Sequence, residues 1–90
     1  MNIKIIKKEK NYLEIELDNL TVAEVLRDAL WKDKATELAA WKREHPSKQP
    51  HLILRTSGKE AKRVLLDTIE HIQKFNADIL SEFKKAMKGK

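Results

Sequence analysis

The sequence predicts an α+β fold in two layers, with a four-stranded, mainly antiparallel sheet packed against two helices in the order β-β-α-β-β-α. Two short segments near the start alternate apolar and polar residues with a period of two, which is typical of half-buried strands, and two later short segments are predicted to be strands as well. Two further segments carry apolar residues at helical spacing, and the second of them covers nearly a third of the chain. Ninety residues suffice for one hydrophobic core and are too few for two, so residues 1–90 are expected to form a single domain.

The first two strands are predicted over residues 2–17. Apolar and polar residues alternate on both sides of the segment 8–11, which is polar and ends in the turn-prone Asn11. We therefore expect the two strands to form an antiparallel hairpin.

A start signal predicts the first helix. Thr21 followed by Glu24 matches a capping box, in which the hydroxyl and the carboxylate each accept a hydrogen bond from a backbone amide at the helix start. Apolar residues then continue at helical spacing from Val22 to Leu30, so the helix is expected to end near Trp31 or Lys32.

The segment from Glu37 to His45 is compatible with either a helix or a strand, and its period-two alternation favours a strand. Pro46 should end this strand, because proline cannot donate to a β-ladder and restricts the residue before it. A fourth strand is predicted from His51 to Thr56.

One long helix is predicted from Lys59 to Met87. Its 29 residues would span about 43 Å, whereas a domain of this size measures only about 31 Å across. The C-terminal turns nevertheless carry large apolar side chains such as Phe75, Ile79 and Phe83. Leaving such side chains in water forfeits about 1.5–3 kcal/mol each. The pattern therefore predicts that a second polypeptide covers the overshooting helix.

The residues offer no chemistry for an isolated enzyme. The absence of cysteine excludes disulfides and thiolate metal sites and suits a reducing compartment such as the cytoplasm. His45, His51 and His71 lack metal-ligand spacing, and Ser57–Lys59 lacks the earlier glycine of a phosphate-binding loop. We expect no catalytic residue, no cofactor and no small-molecule substrate. No apolar run approaches the roughly 18 residues of a membrane span.

The charge leaves an alternative open. The 19 Lys and Arg residues exceed the 14 Asp and Glu residues by five, and lysines concentrate at residues 4–10 and in a tail at 84–90. The alternative function is therefore a small basic nucleic-acid-binding module. Only five aromatic residues are available for base stacking, which disfavours it. A small self-pairing domain is a third possibility that the residues alone do not separate from hetero-pairing.

Several segments, taken in order, resemble the archaeal RNA polymerase subunit L family of small α-like assembly subunits. Residues 3–9 and 11–14 resemble the first hairpin of that family, and residues 21–27, Thr-Val-Ala-Glu-Val-Leu-Arg, resemble its helix motif. The most specific match is Leu-Ala-Ala-Trp at 38–41 followed by Glu-His-Pro at 44–46, which is similar to Phe-Ala-Ala-Tyr and Glu-His-Pro in the family. Leu20 and Glu24 depart from the helix motif, where the family has His and Asn.

The resemblance implies a non-catalytic scaffold. Members of this family pair, through the helices of both chains, with the larger α-like subunit of the polymerase, which is called D. The resulting heterodimer is the platform for the catalytic subunits of DNA-directed RNA polymerase. Such a chain would meet nucleic acid only through the complex. The residues expected at the partner interface are Val22, Val25, Leu26, Leu65, Ile69, Ile72, Phe75, Ile79 and Phe83.

Overall fold

A computed structural model describes residues 2–72, 75 and 77–88 and shows a four-stranded antiparallel sheet with helices on one face. The predicted α+β class and the four strands are confirmed. Within these residues there are three helices, where the sequence predicted two. In chain order the elements are β1 (Ile3–Lys8), β2 (Tyr12–Leu17), α1 (Leu20–Leu30), β3 (Thr36–Lys42), β4 (His51–Thr56), α2 (Ala61–His71) and α3 (Ala77–Lys88).

The sheet has the strand order β1-β2-β4-β3, so β2 and β4 are central and β1 and β3 are the edges. All neighbouring strands are antiparallel. Along β2 every second residue is buried and the residues between them are half-buried, as the period-two pattern predicts. The buried side chains face the helices, and the opposite face of the sheet carries no helix among the described residues.

The helices lie side by side on the sheet. α1 packs mainly against β3, α2 against β4 and α3 against β1, with α2 in the middle. None of the helices in the described part of the chain is long and apolar enough to cross a membrane. Each helix contributes fully buried side chains to one core, among them Leu26 and Leu30 from α1, Leu65 and Ile69 from α2, and Phe83 and Met87 from α3.

The start of α1 differs from the prediction. Asn19 is the N-cap residue, and its side-chain oxygen accepts a hydrogen bond from the Val22 amide at 3.1 Å. Thr21 already lies inside the helix, so the predicted capping box with Glu24 is wrong. Asparagine caps a helix at least as well as threonine, which explains why the helix begins at the earlier residue.

The prediction of a single long helix from Lys59 to Met87 is also wrong. α2 ends at His71, because Ile72 has the extended backbone angles φ −86° and ψ 110°. α3 then packs against β1 of the same chain, where Phe83 and Met87 are 0% and 1% exposed. The described residues extend 35 × 27 × 25 Å, so no 43 Å rod projects from this part of the domain. The apolar surface of these two residues, which the predicted overshoot assigned to a second chain, is covered by the chain itself.

The Lys-rich tail predicted at 84–90 is helical as far as Lys88, as the last part of α3. Residues 89 and 90 lie outside the described residues, as do 73, 74 and 76 of the predicted long helix. Near the end of α3, the Lys8 ammonium group donates to the Met87 carbonyl oxygen at 3.3 Å. This bond connects the edge strand β1 to the C-terminal turn of α3. A positive charge at this end of a helix also interacts favourably with the helix dipole.

Candidate pairing surface

An open groove of about 750 Å³ separates α1 from α2 on the outer side of the helix layer. Val25 and Ala29 of α1 line one side of the groove, and Ile72, the residue directly after α2, lines the other side. Val25 and Ala29 are one helical turn apart and therefore share a face, whereas the buried face of α1 packs against the sheet. The groove thus has apolar surface between two helices. Charged and polar side chains surround it, among them Asp28, Lys32, Asp33, Lys59, Asp67 and His71.

Several ion pairs lie at one end of the groove. The Lys59 ammonium nitrogen lies 3.6 Å from an Asp33 carboxylate oxygen and 3.9 Å from one of Asp67. Arg63 on α2 approaches the same Asp67 carboxylate at 3.7 Å. Such exposed pairs contribute at most about 1 kcal/mol each. Their consequence is geometric, since Lys59 connects the loop after α1 to the side of α2.

The predicted interface residues divide into two groups. Five are buried in the core of the chain itself and four are half-buried. The buried residues are Val22, Leu26, Leu65, Ile69 and Phe83. The half-buried residues are Val25, Ile72, Phe75 and Ile79, of which Val25 and Ile72 line the groove. The buried residues have almost no surface to offer a partner in this conformation. A partner role for any of the nine stays a prediction.

Sequence reasoning missed Ala29, Lys32 and Lys59 as lining residues. Ala29 could have been found, because it follows Val25 by four residues on a helix that was correctly predicted. Lys59 could not, because its place at the groove depends on how the segment before α2 approaches the loop after α1.

A second polar cluster lies on the sheet face that carries no helix. The Tyr12 hydroxyl donates to one Glu14 carboxylate oxygen at 3.1 Å, and His51 Nδ1 lies 2.7 Å from the other. His51 Nε2 is 3.6 Å from a Glu16 carboxylate oxygen. His51 is half-buried and begins β4, as the predicted fourth strand requires. Nowhere in residues 2–72, 75 and 77–88 do three or more His, Asp or Glu side chains group so as to hold a metal ion.

This cluster predicts a loss of stability in acid. The hydrogen bond from His51 is the main cause that lowers the pKa of Glu14 below its usual value of 4.5, and the Tyr12 hydroxyl adds to it. Because the folded-state pKa is the lower one, Glu14 stabilises the fold above pH 4.5, and this stabilisation disappears as the pH falls through the folded-state pKa. Urea titrations between about pH 6 and pH 2 should show a smaller decline in unfolding free energy for Glu14→Gln than for the unmodified chain. Equal declines would contradict this assignment.

Fold and surface together define a class of protein. A small α+β domain with a groove between two surface helices is suited to hold another polypeptide, because an amphipathic helix can place its apolar side chains in such a groove. The domain thus has the architecture of an interaction module, and its helix layer is the candidate binding surface.

Comparison with known proteins gives the family. Residues 11–82 match the model of the RNA polymerase Rpb3/Rpb11 dimerisation domain. The match includes all of α1 and α2 and therefore both walls of the groove. The chain belongs to this family, as the resemblance to subunit L predicted. It is a non-catalytic polymerase assembly subunit, part of an enzyme complex and not a catalyst on its own.

Archaeal relatives agree with this assignment. The chain is 32% identical over 89 residues to DNA-directed RNA polymerase subunit Rpo11 of Sulfolobus acidocaldarius, a match covering 94% of this chain and 99% of the relative. It is 33% identical over 89 residues to subunit Rpo11 of Methanosarcina acetivorans, covering 96% and 97%. The crystal structure of RNA polymerase subunit L from Thermoplasma acidophilum superposes with a TM-score of 0.71 at 21% identity, covering 98% of this chain and 90% of that one. This likeness supports the fold.

Proposed function

We propose that this chain forms a heterodimer with the larger α-like subunit of DNA-directed RNA polymerase through the groove between α1 and α2, and that the pair is the platform for the catalytic subunits. The observation that carries the proposal is the match of residues 11–82 to a dimerisation domain, because this range contains both helices that form the groove. The proposal places the chain in the cytoplasm, since a cysteine-free protein suits a reducing compartment.

The groove suits a helix of the partner. Val25 and Ala29 on one wall and Ile72 on the other are half-buried, so each retains apolar surface that a second chain can cover. A specific interface usually buries about 800 Å² on each partner, more than the lining of this groove alone provides. We therefore expect the contact to extend beyond the groove along the α1 face that carries Val25 and Ala29 and along the adjoining face of α2.

The net charge of the chain favours a partner that is not a second copy of the same chain. The chain has a net charge of +5, so two copies repel each other at long range, whereas a neutral or acidic partner is not repelled in this way. This long-range repulsion favours a heterodimer over self-pairing.

Co-expression with the larger α-like subunit of the same organism tests the proposal. Size-exclusion chromatography with light scattering should give a 1:1 complex, and the chain alone should elute as a monomer with its α3 packed on its own sheet. A chain that stays separate from this partner at micromolar concentration would contradict the pairing. Elution of a stable homodimer that excludes the larger α-like partner would contradict it equally.

A further inference from the structure

The two edges of the sheet differ in how they are protected. β1 carries Lys4, Lys7 and Lys8, and a register shift between Ile5 and Lys7 interrupts its pairing with β2. Lysines and bulges are the usual means by which an edge strand avoids pairing with another chain. β3 has its register shift at its first residues, before the uncharged run Leu-Ala-Ala-Trp at 38–41. The β3 edge is therefore the one that is open to an additional strand.

Apolar side chains accompany this open edge. Leu38 and Ala40 alternate with the buried Ala39, so they lie on the sheet face without helices, where both are half-buried. Ala40 pairs with Ile53 of β4, which is also half-buried on that face. An added strand would extend this apolar strip as well as the backbone ladder.

One tryptophan belongs to β3, and a second is the C-cap residue of α1, shortly before this strand in the chain. Trp41 of β3 has its indole nitrogen buried, and no acceptor for it exists among residues 2–72, 75 and 77–88. A buried donor without an acceptor is unfavourable. Trp31 is 49% exposed and follows Leu30, whose carbonyl oxygen accepts from the Thr36 hydroxyl at 2.6 Å where β3 begins. One incompletely bonded tryptophan thus belongs to the edge strand itself, and an exposed one precedes the strand in the chain.

We infer that the β3 edge accepts an extended segment of another polymerase subunit as an additional strand, next to the groove but separate from it. The inference rests on the proposed function, because an assembly subunit needs a surface for the next chain besides the one for its pairing partner. The groove opens between α1 and α2, whereas β3 lies beneath α1 at the rim of the sheet, so one partner can occupy each.

Charge defines the chemistry of the added strand. Glu37 lies near the start of β3, Lys42 ends the strand, and Arg43 follows it directly. The complementary segment is therefore apolar in its middle, basic where it meets Glu37 and acidic where it meets Arg43, because opposite charges across a strand pair stabilise it. Backbone hydrogen bonds supply the affinity in this mode of recognition and the side chains supply the specificity.

Hydrogen exchange followed by mass spectrometry tests the inference on the unmodified protein. Peptides covering residues 36–42 are compared in the chain alone, in its heterodimer with the larger α-like partner and in the complete polymerase. Amides of β3 that do not bond to β4 should exchange rapidly in the first two samples and slow by about tenfold or more in the third. Equally rapid exchange in the complete polymerase would overturn the inference. Slow exchange in the chain alone would assign the edge to a second copy, and slow exchange in the heterodimer would assign it to the pairing surface; either result overturns the inference.

The same experiment distinguishes the inference from the proposed function. Protection of α1 and α2 in the heterodimer reports the pairing, and protection of β3 in the complete polymerase reports the added strand. Helices that stay unprotected after addition of the larger α-like partner would count against the pairing itself, whatever β3 shows.

A matched pair of variants adds a second readout. Leu38→Lys places a charge at the open edge, and Ile6→Lys makes the same kind of change on β1, where Ile6 is 43% exposed. Both variants should bind the larger α-like partner normally. In a competition for incorporation into polymerase, Leu38→Lys should lose to the unmodified chain by about tenfold and Ile6→Lys should not. Equal incorporation of the two variants would overturn the inference, and if Leu38→Lys fails to fold, the exchange measurement on the unmodified protein decides.

Discussion

Replacing Phe83 with alanine is expected to lower the free energy of unfolding by about 3–5 kcal/mol. Phe83 is 0% exposed in the core, and α3 packs against β1 and α2. Removing its ring takes apolar contacts away and leaves a cavity that the neighbouring side chains fill only in part. A domain of this size has a total stability of about 5–13 kcal/mol, so the variant should be close to unfolding.

Urea denaturation followed by circular dichroism measures this loss. The matched control is Lys84→Ala, which truncates a long, exposed side chain on the same helix and should change the stability by no more than about 0.5 kcal/mol. Equal stability of the two variants would mean that α3 does not pack on the sheet. In that case the single projecting helix predicted from the sequence would be the better description.

The sequence could not locate the interruption between α2 and α3. Helical periodicity reports which side of a segment is apolar, and both pieces turn their apolar side toward the same core. Ile72, where the helical backbone stops, is neither proline nor glycine and carries no stop signal. The predicted helix length was wrong for this reason, and the prediction of a partner that rested on it lost its support. The family resemblance, carried by independent segments, led to the same class of function and is confirmed by the family match.

The strands were more predictable because they are short and are bounded by turn-prone segments. β4 begins and ends at the predicted residues, and β1 and β2 flank the predicted turn. β3 ends at Lys42, three residues before the predicted end at His45, because β4 pairs with it only as far as His51 opposite Lys42. Local alternation identifies a strand, whereas its length depends on the neighbouring strand.

The position of the groove also depends on tertiary structure, so the sequence alone could not predict it. The sequence correctly placed Val25 on the apolar side of α1, but it did not separate the part of that side that faces the sheet from the part that faces the groove. Leu26 follows Val25 directly and is completely buried. One position along a helix corresponds to a rotation of about 100°, which is enough to move a side chain from the core to the candidate interface.

Replacing Ala29 with tryptophan is expected to weaken the binding of the larger α-like partner by about a hundredfold or more, which corresponds to about 2.7 kcal/mol. Ala29 is half-buried and lines the groove, so the indole ring would occupy the space proposed for a partner helix. The fold should tolerate the change, because the added volume enters an open groove and not the packed core. Isothermal titration calorimetry with the purified partner measures the affinity, and thermal unfolding checks the fold.

Glu24→Trp is the matched control for this prediction. Glu24 is exposed on the same helix and does not line the groove, so a tryptophan there adds the same ring without filling the site. Its affinity for the larger α-like partner should stay within about threefold of that of the unmodified chain, because rim and outer positions contribute little to binding. If both variants bind equally well, the groove is not where the partner binds. If Ala29→Trp alone fails to bind while its melting temperature is unchanged, the loss cannot come from unfolding, and the partner occupies the space between α1 and α2.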